Sequence, residues 1–229
     1  MNKTTMIRYI NSLKKLEGNK KEFRSKSKLS KYLNDVLIGL ILSDGYLEKS
    51  SPTSAARLTV SFGAKHSKYL LHLYDLFEPY TNSSPVSINV YNKKTETNNE
   101  VLRFKTVSLP QLLYYHELFY KFKYNELTER DKLIKIVPTN IEELMSPIVL
   151  SHLIMGDGNI KLPDKIIRIY TNSFSKKEVE RLALSITKNL NIVAKVSHDR
   201  NNQYMITISK NQLELVRSVI RLRKQFIFI

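Results

Sequence analysis

The sequence predicts an α+β fold made of two matched halves, and three observations predict it. Two runs that are apolar on every face, Val36–Leu42 and Ile148–Met155, both end in Asp-Gly, and their aspartates, Asp44 and Asp157, stand 113 residues apart. The same order of elements follows each run: strands, a helix, strands, a helix. The strands alternate polar and apolar residues, as half-buried strands do. A repeat of about 110 residues implies an internal duplication, with two similar subdomains related by a pseudo-twofold axis.

The elements follow in chain order. Residues 1–30 form a basic segment with little patterning. It reads as a solvated tail or as an arm laid along phosphates. The first subdomain spans 31–119. Its helix opens near Asn34 and is apolar all round, so it must be buried on every side. It stops at Ser43-Asp44-Gly45, a turn signal. Arg57 to Phe62 alternates as a strand, Ser67 to Phe77 has helical spacing, and 86–91 and 101–107 are strand-like across a polar turn. A helix follows from Ser108-Leu109-Pro110. Residues 120–145 read as a linker, and 146–229 as the second subdomain. There Ser146-Pro147 is an N-cap and N1 pair. A strand at 166–171, a helix at 175–190, a hairpin of 193–197 with 203–208 and a closing helix from Lys210 complete the half.

Composition limits the function. There are 37 Lys+Arg against 21 Asp+Glu, a formal net charge of +16, which points to a polyanionic partner: DNA, RNA or an acidic membrane surface. The absence of cysteine excludes disulfides, thiol nucleophiles and Cys-based zinc sites, and five scattered histidines do not restore a zinc site. No apolar run is long enough to span a membrane, no basic amphipathic helix shows an aromatic face, and the N-terminus lacks a secretory pattern. The abundance of Lys, Asn, Ile and Tyr is what AT-rich coding favours, as in organellar genomes.

The aspartates carry the chemistry. Alone, each would read as a surface cap, set against the negative end of its helix dipole. Two of them on matched buried helices read differently. Apolar helices must pack on something, and small residues sit where close approach would need them: Gly39 and Ser43 on the first, Ser151 and Gly156 on the second. Parallel packing brings both carboxylates to one end, where they repel and call for a cation. Oxygen-only ligands select a hard metal such as Mg²⁺, with Mn²⁺ or Ca²⁺ as alternatives. Two carboxylates and Mg²⁺ against a phosphodiester is the layout of metal-assisted hydrolysis. The strands supply polar faces suited to base edges and phosphates: Arg57, Thr59 and Ser61; Asn89, Tyr91 and Lys93, grouped with Ser87; Arg103 and Lys105; Arg168, Tyr170 and Asn172; Lys195 and Ser197, with Arg200 in the turn; and Gln203 and Thr207.

The nonapeptides Leu37-Ile-Gly-Leu-Ile-Leu-Ser-Asp44-Gly45 and Leu150-Ser-His-Leu-Ile-Met-Gly-Asp157-Gly158 resemble the two motifs of LAGLIDADG homing endonucleases. The similarity is to the monomeric, two-motif branch and spans about residues 30–229. His152 stands where the second motif has Gly, and Gly156 at its small position. The resemblance implies tandem αββαββα repeats with the motif helices at the subdomain interface and two antiparallel sheets forming a DNA-binding saddle. It implies divalent metal on Asp44 and Asp157, helped by the backbone carbonyls of Ser43 and Gly156. It implies cleavage of a long asymmetric duplex site across the minor groove to leave 3′ overhangs. An active-site lysine three residues before a linker proline is matched by Lys135 before Pro138. The partner lysine of the second half falls at or just beyond Ile229, and nearby Lys224 does not fit the pattern. The resemblance also implies an intron-borne gene in an organelle, mitochondrion ahead of chloroplast. Two rival readings are an RNA maturase acting on its own intron RNA and a non-catalytic DNA-binding protein of the same fold.

Overall fold

The computed structural model describes residues 24, 28–93, 96–125 and 129–220. Most of the basic 1–30 segment, Lys224 and Ile229 lie outside the described residues. Contacts divide the chain into two units. One is built on residues 47–113, and the other on 30–46 and 114–220.

The second unit contains both apolar helices. Helix α1 (Lys31–Leu42) opens at Ser30, whose hydroxyl accepts a hydrogen bond from the Leu33 N–H at 3.2 Å, and Val36 to Leu42 are all buried. The corresponding later helix (Pro147–Asp157) opens at Ser146, which accepts from the Val149 N–H at 3.3 Å with Pro147 in the first turn. The Ser146-Pro147 start is the one read from the sequence, whereas α1 opens three residues before Asn34, at a Ser30 cap not read from the sequence. The two helices run parallel, because their contacts advance in step. Ser146 donates to the buried Asp35 carboxylate at 2.9 Å. A Cβ added at Gly39 would stand 2.7 Å from both the Cβ of His152 and the carbonyl of Val149. One added at Gly156 would stand 2.5 Å from Ser43 Oγ.

The first unit holds β1 (Tyr46–Lys49), β2 (Ala56–Gly63), β3 (Val86–Asn92) and β4 (Thr97–Lys105) in the order β1-β2-β4-β3, with α2 (Ser67–Phe77) between β2 and β3. Leu58, Val60 and Phe62 of β2 are buried, as are Leu70, Leu73 and Phe77 of α2 and Phe104 of β4. Helix α3 (Leu113–Phe119) follows, and then two strands, β5 (Tyr120–Asn125) and β6 (Arg130–Lys135), which among the described residues pair only with each other. A helical turn, α4 (Ile141–Leu144), leads into the helix Pro147–Asp157, here α5. The segment that reads as a linker is thus mostly regular structure. Tyr120, Phe122 and Tyr124 alternate with Lys121 and Lys123 as a strand does, but Arg130–Lys135 shows no such alternation, so the sequence leaves β5 without a legible partner.

The second four-stranded sheet is β7 (Gly158–Lys161), β8 (Ile166–Tyr170), β9 (Ala194–His198) and β10 (Tyr204–Ile208), ordered β7-β8-β10-β9. It carries α6 (Lys176–Leu190), opened by a Ser175/Glu178 capping box and closed by left-handed Asn191. Asn201 and Asn202, at φ 47° and 58°, turn the β9–β10 hairpin. Helix α7 (Leu213–Val219) closes the described chain. The two halves share the expected αββαββα order, with β1 and β7, short strands that the sequence does not set apart, directly after the motif helices.

One face assignment is corrected. Alternation groups Ser87, Asn89 and Tyr91 with Arg103 and Lys105 as one polar face. The ladder pairs Val86 with Arg103 and Ile88 with Val101, so Val86 and Ile88 share the arginine's face. Asn89 and Tyr91 pair with Glu100 and Asn98 on the other face, that of Phe104. Val86, 52% exposed, shows why alternation misleads: β3 is an edge strand with little burial on either side to polarise it.

The Gly39 contact involves backbone, which has nowhere to yield. Gly39→Ala is expected to destabilise by about 1–3 kcal/mol, whereas Gly63→Ala, with nothing within 4 Å of the added Cβ, should stay within about 0.5 kcal/mol. Urea unfolding of both variants checks this, and equal midpoints would refute close helix packing.

Candidate active site

Each motif helix ends so as to lift its aspartate from the helix tip. At the end of α1, the Ser43 and Gly45 N–H groups both donate to the Leu40 carbonyl, at 3.1 and 2.7 Å, and Ser43 Oγ donates to the Gly39 carbonyl at 2.9 Å. A Cβ at Gly45 would strike that Leu40 carbonyl, at 2.7 Å, so only glycine closes the turn. At the end of α5, Gly158 donates to Ile154, and a Cβ there would clash with the Ile154 carbonyl. Asp44 is exposed and Asp157 half-buried. Gly156 brings the two tips together: a Cβ on it would lie 2.6 Å from the Ser43 Cβ and 3.2 Å from Asp44 Oδ2.

Lys135, the last residue of β6, enters the same place. Its Nζ donates to the Ser43 carbonyl at 2.8 Å and to the Gly45 carbonyl at 2.9 Å, bracketing Asp44. The ladder sets it opposite Tyr120. Tyr46 meets Tyr120 edge-on at 5.7 Å, and His116 stacks on Tyr120 at 5.0 Å. Sequence reasoning misses this aromatic cluster: His116 and Tyr120 are four residues apart, but Tyr46 joins them from 74 residues away. Burial drives the Lys135 ammonium down to about 8, against the pull of Asp157 and Asp44. Burial also drives the Asp157 carboxyl up to about 7, helped by the Asp44 charge and opposed by Lys135.

The donor set fits a hard divalent cation. Burial, and after it the Asp44 charge, raises Asp157; such an ion would relieve both, and the available ligands are all oxygen. Among the described residues no third His, Asp or Glu completes a side-chain cluster able to hold a metal. Backbone carbonyls and substrate oxygens would therefore supply the rest. The Ser43 carbonyl already serves Lys135.

The candidate nucleic-acid residues fall into several places. Arg57 Nε, Thr59 Oγ1 and Lys105 Nζ all converge on Glu48 of β1, at 2.7, 3.2 and 3.0 Å. Burial pushes the Glu48 carboxyl up, but the hydrogen bonds and charges of Lys105 and Arg57 outweigh it and hold it below its ordinary range. Arg103 Nε donates to Ser61 at 2.8 Å. Asn89 and Tyr91 lie on the opposite ladder face, and Lys93 is exposed in the turn after β3. In the second sheet the register puts Arg168, Tyr170, Lys195, Ser197 and Thr207 on one face, with Ser197 and Thr207 hydroxyls 3.0 Å apart. Asn159 and Lys161 of β7 join that face, hidden in the sequence because four residues show too little alternation. Asn172 lies exposed beyond β8, Arg200 is exposed in the hairpin turn, and Gln203 precedes β10. Among the described residues no helix is long and apolar enough to cross a membrane.

Comparison with known proteins identifies a family and a fold. The family model described as the LAGLIDADG DNA endonuclease family matches residues 34–215. The chain is 28% identical over 203 residues to DNA endonuclease I-ChuI of Chlamydomonas applanata, covering 84% of this chain and 90% of that protein. It is 26% identical to the probable intron-encoded endonuclease 1 of Wickerhamomyces canadensis, covering 84% and 80%. The fold matches that of the homing endonuclease I-WcaI bound to its DNA recognition sequence, with TM-score 0.73 at 22% identity over 93% of this chain and 95% of that one.

The two shifted groups make stability depend on pH in opposite senses. Asp157, raised in the fold, contributes fully below about pH 4, and that contribution is lost as pH rises through about 7. Lys135, lowered to about 8, makes the fold gain stability as pH rises from about 8 toward 10.5. The metal-free site is therefore least favourable between these ranges. Asp157→Asn is expected to raise stability at pH 7.5 by on the order of 1–3 kcal/mol and to flatten the acid-side slope. Urea melts in EDTA from pH 4 to 10 test this, and an unchanged profile would refute the coupling.

Proposed function

The chain belongs to the LAGLIDADG DNA endonuclease family, and from that premise we propose that it is a site-specific homing endonuclease. Its substrate is duplex DNA, cut at a long asymmetric target to leave 3′ overhangs. The observation that carries the reading is the meeting of Asp44, Asp157 and Lys135 at the tips of two closely packed helices. A structural cap would not need a second carboxylate and a buried ammonium beside it.

Asp44 and Asp157 are the proposed holders of a divalent cation, Mg²⁺ with Mn²⁺ or Ca²⁺ as substitutes. Bound there, it would neutralise charge developing on the phosphate oxygens. Lys135 Nζ, brought down to about 8, stands near the operating pH, where a group exchanges a proton with an attacking water efficiently. The carbonyls of Ser43 and Gly45 fix its position, and the ladder sets it opposite the buried Tyr120. The +16 charge supports a DNA partner, and the polar faces carrying Arg57, Arg103 and Lys105, and Arg168, Lys195 and Thr207, supply base and phosphate contacts. The name of one relative, an intron-encoded endonuclease, supports an intron-borne gene, and the composition supports an organellar one. The protein is proposed to act as a monomer, since one chain supplies both aspartates.

Asp44→Asn and Asp157→Asn should each abolish double-strand cleavage while leaving duplex binding intact or tighter. Asn keeps the shape and removes the charge that holds the metal. Lys135→Met should slow cleavage by about 10²–10⁴-fold, the usual contribution of a proton-transfer group. Labelled duplex carrying the intron-insertion sequence, incubated with and without Mg²⁺, reads all three. Cutting at wild-type rate by either aspartate variant would end the assignment.

A further inference from the structure

Between Phe119 and Ile136 the chain forms a ribbon that belongs to neither four-stranded sheet. The Ile136 N–H donates to the Phe119 carbonyl at 2.8 Å and closes its root, where Phe119, Tyr120 and Val137 are buried. The outer half has no core: Phe122 and Tyr124 are 72% and 59% exposed. A two-stranded ribbon with so little burial is marginal by itself.

Register sorts its charges. Lys123 stands directly across from Lys132, Lys121 across from Ile134, and Arg130 across from Asn125. Alternation therefore places Lys121, Lys123, Arg130 and Lys132 on one face. Asp131 lies on the opposite face, across from Tyr124, and Glu129 sits in the turn at φ 51°. All four cations are exposed, and among the described residues none has an ion-pair partner. Like charges directly opposite one another destabilise a ladder. This face repels itself until an anion covers it. The cations are mainly lysines, point charges suited to phosphate, and the face has no built pocket for a small anion. The same β6 strand that carries Arg130 and Lys132 ends in Lys135 beside Asp44.

We propose that the Lys121, Lys123, Arg130 and Lys132 face seats on the backbone phosphates of the duplex being cut, as a contact additional to the two sheet faces. The inference rests on the endonuclease reading above. It ties substrate to the element that delivers Lys135, so that DNA held by the ribbon is held in register with the cleavage chemistry.

Non-specific binding isolates this contact, because phosphate neutralisation dominates it. The full chain is titrated with an unrelated duplex oligonucleotide over a salt series in EDTA. The variant K121Q/K123Q/R130Q/K132Q should fold with an equal or higher melting temperature, since it relieves the Lys123–Lys132 repulsion. Its slope of log K against log salt should be shallower by about 2–4, at roughly 0.9 for each phosphate that is no longer neutralised. The single variants Lys123→Gln and Lys132→Gln should each remove about 0.9, and K121R/K123R/K132R should keep the wild-type slope. A folded quadruple variant with the wild-type slope overturns the proposal and leaves the endonuclease reading standing. Loss of binding to structured RNA but not to duplex overturns it in favour of RNA. A wild-type chain that shows no salt-dependent duplex binding overturns both.

Discussion

The close approach of the two motif helices is the constraint on which the site depends. Helices apolar on every side must be covered, and these cover each other only because Gly39 and Gly156 let backbone meet side chain without an intervening Cβ. Asp35 fixes the register from the other end by accepting from Ser146, the cap of α5. With register fixed at both ends, the Asp-Gly tips have one relative position. A carboxylate pair at such tips is unfavourable in itself, set against two helix C-termini and against each other. The fold retains it, and a binding function explains that better than stability does.

Lys135 partly offsets the accumulated negative charge. It reaches the tips from a different element, and its donors are engaged by carbonyls rather than held by a carboxylate in a tight pair. The result is two aspartates and a lysine, of which Asp157 and Lys135, whose ordinary pKa values lie far apart, are brought to about 7 and about 8. Burial is the largest cause for both.

The sheets show a second use of a single carboxylate. Glu48 gathers Arg57, Thr59 and Lys105 into one cluster on the first sheet. Such pairs at part-exposed positions contribute little stability. Their effect is orientation: long cationic side chains are held over the sheet rather than left to sample solvent, which reduces the entropy lost when they meet a nucleic acid.

The repeat, the motif helices, the Ser146-Pro147 cap, the Asp-Gly ends and the alternation of β2, β8 and β10 are legible in the sequence, because each is a local pattern of residue types. Lys135 is legible only through its spacing to Pro138 in a resembling family. What the tertiary structure decided is what local pattern does not encode. In the hairpin of 120–135, Tyr120, Phe122 and Tyr124 alternate with Lys121 and Lys123 but residues 130–135 do not alternate polar with apolar, so its basic face and its delivery of Lys135 emerge only once the strands are paired. The true face of Asn89 and Tyr91 follows from the register with β4, since an edge strand with both sides near solvent leaves no burial signal to read. Glu48 and Tyr46 likewise gain their roles from neighbours distant in sequence, and hydrogen bonds and desolvation between such neighbours exist only when the chain is folded.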